Sequence, residues 1–432
     1  MKRSAIALAA ALTLGACSTP TSDDEAATPT DTPVTITFRL WDSSAVPAYR
    51  QSFEDFTAEN PNVTVEIEVV EEDAYWPRVD ADLGSGTMAD VFWLNPATVV
   101  NLHRRDSLVP IDTRPDDWET ALVELFTVEE GLWAVPQMWS SVALFYDREL
   151  FTDVDLRSEA LTWAPDGGEG DTLIAAATEL TVDENGRNAA DDNFDPDSVV
   201  RYGFAADPDI RTAFIPFIHQ AGGQFQDADG RFAFATDEGE QATQYLVDLI
   251  HEHGVSPSID MADDEQLPAL FADGEIALYQ SDSDILGFIA REAEIDWAIA
   301  PIVGGPEGKI SSLDGVAAAG NADSDHPEAT ALLLEWLGTA KGQEPLAAHG
   351  LAFPGNLRAQ DTYVNHWAKQ GVDVSVFIES SRHAITVSAH DLDIQPALEE
   401  IRSMRHRILA GEVPVAEGLQ QAQRAGNDAL GG

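Results

Sequence analysis

Val34-Thr35-Ile36-Thr37-Phe38-Arg39-Leu40 alternates apolar and polar side chains with the two-residue period of a strand. Tyr49, Phe53 and Phe56 then recur at helical spacing, and Asn60-Pro61 stops that helix. Val63, Val65, Ile67 and Val69 alternate again and give a second strand. A helix through Tyr75, Trp76, Val79 and Leu83 follows and ends in Gly84-Ser85-Gly86. Asp90-Val91-Phe92-Trp93-Leu94 is a short apolar run of the kind that forms a buried parallel strand. The order β-α-β-α-β predicts right-handed crossovers. Ligands of such sheets bind beyond the carboxyl ends of the strands. That rule points to Trp41-Asp42, after the first strand, and to Asn95-Pro96, after the third.

Working outward to the amino end, Lys2 and Arg3 precede a short apolar run that closes in Leu14-Gly15-Ala16-Cys17. A charged start, an apolar run too short to cross a bilayer and small residues before the cleavage point make a secretory signal. A cysteine straight after them resembles the lipobox of bacterial lipoproteins, in which the thiol carries lipid. The alternative is an ordinary signal peptide with a chance cysteine. Residues 1–16 therefore read as a lipoprotein signal peptide. The Ser-, Thr-, Pro- and Asp-rich stretch 17–33 has too little apolar surface to fold and reads as a flexible tether. Cys17 is the only cysteine, so no intramolecular disulfide is possible.

About 400 residues remain, more than one core usually serves, and two lobes are the default. Lys and Arg number 24 against 76 Asp and Glu, a net charge of −52. Nucleic acid is excluded as a partner, because a phosphate backbone needs a positive surface. The acids are spread over the chain. That distribution favours a solvated, salt-adapted surface, and a cationic ligand is the other reading.

In the middle, loops rich in Asp, Asn and Gly at 165–171 and 183–198 separate predicted helices at Leu173–Leu180, Ile210–Ala221, Glu238–His253 and Asp264–Phe271. A strand pattern begins near 311. Pro327–Leu337 is a helix with Asp325 as a candidate cap and Gly338 as its stop. Ile394–Ala410 and Val415–Leu430 close the chain as helices. Asp183 to Asp197 spaces oxygen ligands loosely like a calcium loop, without the strict spacing, and a solvated acidic hairpin is the preferred reading. No metal or other cofactor is expected.

Several segments, in order, resemble the extracellular solute-binding proteins of ABC importers, specifically the sugar-binding family that includes maltodextrin-binding proteins. Leu83-Gly84-Ser85-Gly86-Thr87-Met88-Ala89-Asp90-Val91-Phe92 resembles the family's Gly turn leading into Pro-Asp-Val, with Ala89 where Pro is usual. Leu132-Trp133-Ala134-Val135-Pro136-Gln137 and Leu144-Phe145-Tyr146-Asp147-Arg148-Glu149-Leu150-Phe151 are similar to its central segment, with Asp147 for the usual Asn. Leu161-Thr162-Trp163, Phe217–Gly223, Leu270–Ala277, Trp297–Pro301, His326–Thr330 and Gly411–Leu430 fit further pieces of the pattern.

The resemblance implies an α/β, two-lobe periplasmic-binding-protein-like fold with a hinge crossed more than once, near Pro136–Ser141, Leu313–Val316 and Arg382–Val387. It assigns 34–137 plus 314–384 to an N-terminal lobe and 138–313 plus 385–432 to a C-terminal lobe. It implies a monomer, lipid-anchored outside the cell membrane at Cys17. Such a protein captures a mono- or oligosaccharide in the interlobe cleft and delivers it to the transmembrane subunits of an ABC permease.

Sugars offer C–H faces to aromatic rings and hydroxyl edges to planar polar groups and carboxylates. Residues of that chemistry at positions matching the family's cleft are Trp41, Asp42, Asp90, Asn95, Trp139, Ser140, Ser141, Asp282, Ser283, Asp314, Gly315 and His383. Phe53, Phe56 and Trp336 sit at helical spacing and are assigned to the core. The alternative classes are a binder of a polyol, peptide or polyamine, and a secreted glycoside hydrolase. No Gly-x-Ser-x-Gly, His-Glu-x-x-His or Gly-x-x-x-x-Gly-Lys is present, so an enzyme is not expected.

Overall fold

The computed structural model describes residues 32–430 except 114, 152–160, 169, 260, 262–265 and 388–393. The predicted signal peptide, Cys17 and nearly all of the predicted tether lie outside the described residues. Thirteen strands are described: β1 Val34–Leu40, β2 Val63–Val69, β3 Val91–Leu94, β4 Thr127–Val128, β5 Gly131–Leu132, β6 Val135–Asp147, β7 Val182–Asp183, β8 Val199–Ala206, β9 Ile276–Asp282, β10 Trp297–Ala300, β11 Ser311–Gly320, β12 Phe353–Pro354 and β13 Ala384–Thr386.

The opening β-α-β-α-β unit forms as its periodicity requires. β1 pairs in parallel with β2 along its whole length and with β3 at Phe38 and Arg39. Between them, the helix Val46–Glu59 has Pro47 in its first turn and buries Tyr49, Phe53 and Phe56, and Asn60 caps its end. The helix Glu72–Ser85 ends on Gly86, whose φ of 70° is the left-handed conformation that stops a helix. Arg39, on β1, is 1% exposed. It is tied to Glu68 on the neighbouring strand (2.9 Å) and to the buried Asp82 of the second helix (2.6 Å), so a charge in the middle of a strand is fully countered.

The main sheet runs β2-β1-β3-β11-β6-β9-β8-β7. β6 joins its two halves. Val135–Ser141 pairs antiparallel with β11, and Val142–Tyr146 pairs antiparallel with β9. β13 lies parallel against the start of β11, at Ser311–Leu313. Three segments distant in sequence thus meet where β6 changes partner from β11 to β9. All of β6 up to Tyr146 is buried. The helices Gln395–Leu409 and Val415–Ala429 pack on each other and against Asp237–His251, with Asn427 and Gln423 hydrogen-bonded to the backbone at Phe232 and Ala235.

Two local expectations are corrected. The segment after Ile210 is not one helix to Ala221; the helix is Phe214–Gln220. Residues 207–213 instead form tight turns, because the Asp209 carboxylate accepts from the Arg211 N–H (2.7 Å) and Thr212 Oγ1 donates to the Asp207 and Asp209 carbonyls. Asp325 does not cap Pro327–Leu337; His326 occupies the cap position without a side-chain bond, and Ser324 Oγ accepts from the His326 N–H.

In the acidic loop, Asp183 is buried and accepts from the backbone N–H groups of Asn185, Arg187 and Asp195. Burial would raise its pKa, but those bonds outweigh it and hold the carboxyl below its usual range.

Candidate functional site

A cavity of about 260 Å³ opens where the carboxyl ends of the first strands face β6 and β11. Trp41 and Asp42 reach it from the end of β1, Glu72 from the first turn of the helix that follows β2, and Trp93 from β3. Met138, Trp139 and Ser140 line it from β6, and Asp314, Gly315 and Val316 from β11. Asp284 enters from just after β9, and Leu351 and Ala352 complete the wall.

The β6–β11 register puts Asp314 opposite Ser140 and Gly315 opposite Trp139. Gly315 is small for a packing reason: a Cβ there would stand 2.2 Å from Leu122 Cδ2 and 3.1 Å from the Met138 carbonyl. Trp139 is 2% exposed and stacks on Phe353, which pairs with it through β12; its Nε1 has no hydrogen-bond partner. Trp41 is half-buried and meets Tyr75 and Trp93 edge-on at 5.0 and 4.8 Å. Asp42 caps the turn that begins the next helix, accepting from Ser44 N (2.8 Å) and Oγ (2.6 Å).

Arg211 stands behind this wall. Its guanidinium grips Asp209 through Nε (2.9 Å) and Nη2 (3.0 Å), and its Nη1 pairs with Asp314. Burial alone would raise Asp209, but the Arg211 charge and bonds hold its carboxyl well below the usual range. On Arg211 the pull of the neighbouring carboxylates, Asp209 first and Asp282 and Asp284 behind it, exceeds the burial penalty and raises its pKa. Asp284 lines the cleft and is exposed to solvent. Lost hydration pushes it up to about 6 with help from Asp42 and Glu72, against the opposing pull of Arg211 and Ser140. Burial, together with Asp284 and Asp207, also raises Asp282.

The expected residues divide by this geometry. Trp41, Asp42, Trp139, Ser140, Asp314 and Gly315 come together in the one cavity. Asp90 does not join them. It accepts from the Thr37 N–H (2.8 Å) and hydroxyl (3.0 Å) and from Ser324, and it lines a separate pocket with Asn321 and Asp323. Asp90 precedes β3, so it sits at the amino end of a parallel strand, opposite the cleft. Strand direction was the signal that excludes it. Asn95 follows β3 but turns its Oδ1 back to Thr98, accepting from N (3.1 Å) and Oγ1 (2.9 Å).

Ser141 is buried and donates to the Phe377 carbonyl (2.9 Å). Asp282 caps the short turn at Ser283–Ile285, and Ser283 is buried behind it; neither lines the cavity. His383 is exposed in the turn after Ser375–Ser381 and lies off the cavity wall. Sequence reasoning missed Glu72, Trp93, Asp284 and Arg211. Glu72 carried one usable signal, an acid in the first turn of the helix that leaves the carboxyl end of β2.

The sequence model of the bacterial extracellular solute-binding protein family matches residues 42–344. A putative binding protein of Brucella abortus (strain 2308) is 22% identical over 284 residues, 64% of each chain, so the chain spans about 64% of the length of that curated relative. Among solved structures, M. tuberculosis UspC is 34% identical with a TM-score of 0.77, covering 92% of this chain and 100% of that one. The substrate-binding protein Lmo0181 of Listeria monocytogenes, solved with cycloalternan, is 17% identical with a TM-score of 0.76, covering 93% and 100%. The GacH receptor of Streptomyces glaucescens GLA.O, solved unliganded and with acarbose, is 19% identical with a TM-score of 0.75, covering 93% and 99%.

Proposed function

The chain belongs to the bacterial extracellular solute-binding proteins, and from that membership and its cleft we propose that it captures a mono- or oligosaccharide and hands it to the transmembrane subunits of an ABC permease. The carrying observation is the cavity itself. The half-buried indole of Trp41, with the buried Trp93 and Trp139 in the wall behind it, stands beside the carboxylates of Asp42, Asp284 and Asp314. Rings suit C–H faces, and carboxylates accept from hydroxyl edges. The cycloalternan and acarbose complexes of the similar structures support the same ligand chemistry.

In this reading 34–137 plus 314–384 and 138–313 plus 385–432 are the two lobes. Closure is a hinge motion about β6, β11 and the 382–387 segment, stabilised by ligand contacts to both sides. The protein is a monomer outside the cell, held to the membrane by lipid on Cys17, and it performs no catalysis; a separate ATPase powers transport.

The test is a melting-temperature screen of the full chain, in detergent and high salt, against mono- and oligosaccharides, polyols, amino acids and polyamines. A ligand of the folded state adds RT ln(1 + [L]/Kd), about 2.7 kcal/mol at a hundredfold excess over Kd. A saccharide shift without release of reducing sugar supports the reading. A shift with amino acids or polyamines alone overturns it.

A further inference from the structure

Resting on the carbohydrate reading, we propose that Arg211 is a positioning residue of the cleft: it fixes the orientation of the Asp314 carboxylate, and it acts on ligand only through Asp314. Asp314 lines the cavity, whereas Arg211 stands outside the lining. The guanidinium divides between two carboxylates. Nε and Nη2 grip Asp209 at two points (2.9 and 3.0 Å), and Nη1 is left for Asp314 Oδ2. A planar fork held at two points turns only by breaking both bonds, so the third nitrogen is aimed at Asp314 before any ligand arrives.

The base of this arm is fixed as well. The turns that carry Arg211 are tied to β9, where Asp207 N donates to the Gln280 carbonyl (2.9 Å), Gln280 Nε2 donates to the Thr212 carbonyl (2.6 Å) and the Tyr279 hydroxyl donates to the Asp207 carboxylate (2.8 Å). Arg405, from the helix Gln395–Leu409, donates to the Pro208 carbonyl. On β11, Ser312 Oγ donates to the Arg211 carbonyl. Ser312 and Asp314 are two residues apart on one strand and share a face. Arg211 therefore holds that face twice, by its backbone at Ser312 and by its side chain at Asp314.

The Asp314 side chain is 30% exposed, open enough to meet a ligand. Arg211 takes Oδ2, and a carboxylate has a second oxygen with which to accept from a hydroxyl. A carboxylate on an open wall swings between rotamers, and a ligand that needs one of them loses affinity to the ordering. A side chain ordered in advance spares the ligand that loss, which amounts to about three- to tenfold in affinity. The competing role for Arg211 is purely structural: it braces the turns, and its loss loosens the whole region. A loss of that kind does not depend on what stands at position 314.

The experiment is calorimetric titration of the full chain, in detergent, with glucose, galactose, glucosamine, cellobiose, maltose and maltotriose. The tightest-bound of these is then titrated into Arg211→Gln, Asp314→Asn and the double variant. Asn keeps an acceptor for the ligand but forfeits the ion pair. The expected result is that Arg211→Gln weakens binding about three- to tenfold in the parent and adds little to Asp314→Asn. Arg211→Lys keeps the charge without the fork, and Asp209→Asn loosens the grip that aims it. Each should weaken binding with the same dependence on Asp314, and these two carry the test if Arg211→Gln fails to fold.

Equal losses in the parent and in the Asp314→Asn background overturn this inference, because Arg211 then serves the fold at large. Affinity unchanged by every substitution at Arg211 and Asp209 overturns it too. Both results leave the carbohydrate reading standing. A parent that binds none of the saccharides overturns that reading, and this inference falls with it.

Discussion

Trp139 and Phe353 stack with ring centroids 4.4 Å apart and planes 20° from parallel, one on the long strand β6 and the other on the two-residue strand β12. The pair makes Trp139 part of the core as well as of the cleft wall. Removing its whole ring therefore tests two things at once.

Trp139→Ala should cost about 3–5 kcal/mol of stability by opening a cavity. Trp139→Phe keeps part of the stack on Phe353 but removes the N–H and part of the ring, so it should lose less stability than the alanine variant. Denaturant melts and calorimetry on the two variants separate the roles, and unchanged affinity in both would remove Trp139 from the site.

Gly315→Ala drives a methyl into Leu122, which is fully buried and has nowhere to retreat. Overpacking of this kind costs about 1–3 kcal/mol. A lowered denaturation midpoint with an unchanged slope is the expected outcome.

Asp82→Ala leaves Arg39, 1% exposed, with the half-exposed Glu68 as its remaining carboxylate partner among the described residues. Breaking a buried pair from one side costs about 3–5 kcal/mol, since the remaining charge stays desolvated. Arg39→Met combined with Asp82→Ala should recover much of that loss, which a double-mutant cycle by chemical denaturation would read.

Lost hydration pushes the Asp284 carboxyl up to about 6 in the folded state, above the usual aspartate range. A carboxyl raised on folding contributes stability that is complete below its unfolded pKa and lost as pH rises through the folded one. From this group, the ligand-free protein should gain stability as pH falls from 7 to about 4. Asp284→Asn should shrink that gain in a melting series over the same range. Asp209 has the opposite sign: its lowered pKa contributes stability that is lost on acidification below its unfolded value.

Cys17→Ser should release the protein from the membrane fraction with ligand binding preserved, since lipid on one thiol is the proposed anchor. Fractionation of cells expressing the two forms reads this directly, and retention of the variant in the membrane argues for another attachment.

The first three strands and the helices between them were legible because their signals are local. Alternation at Val34–Leu40, helical spacing at Tyr49, Phe53 and Phe56, and Gly86 as a stop each act within a turn or two of chain. Trp41 and Asp42 were legible for the same reason, since the end of a parallel strand is a place that a pattern can name. Asp90 was misplaced although its strand was right, because its segment was matched without asking at which end of the strand it stands.

Periodicity and turn chemistry thus determined, from sequence alone, the opening α/β unit and its buried aromatic residues. Which carboxylates share one cavity was decided only by the tertiary structure. Asp42, Asp284 and Asp314 are brought together by the pairing of β6 with β11 and β9, and Arg211 reaches Asp314 from turns that no helical or strand period marks. Contacts between segments so far apart are fixed by how a whole sheet assembles, while period and turn signals act only between neighbours along the chain.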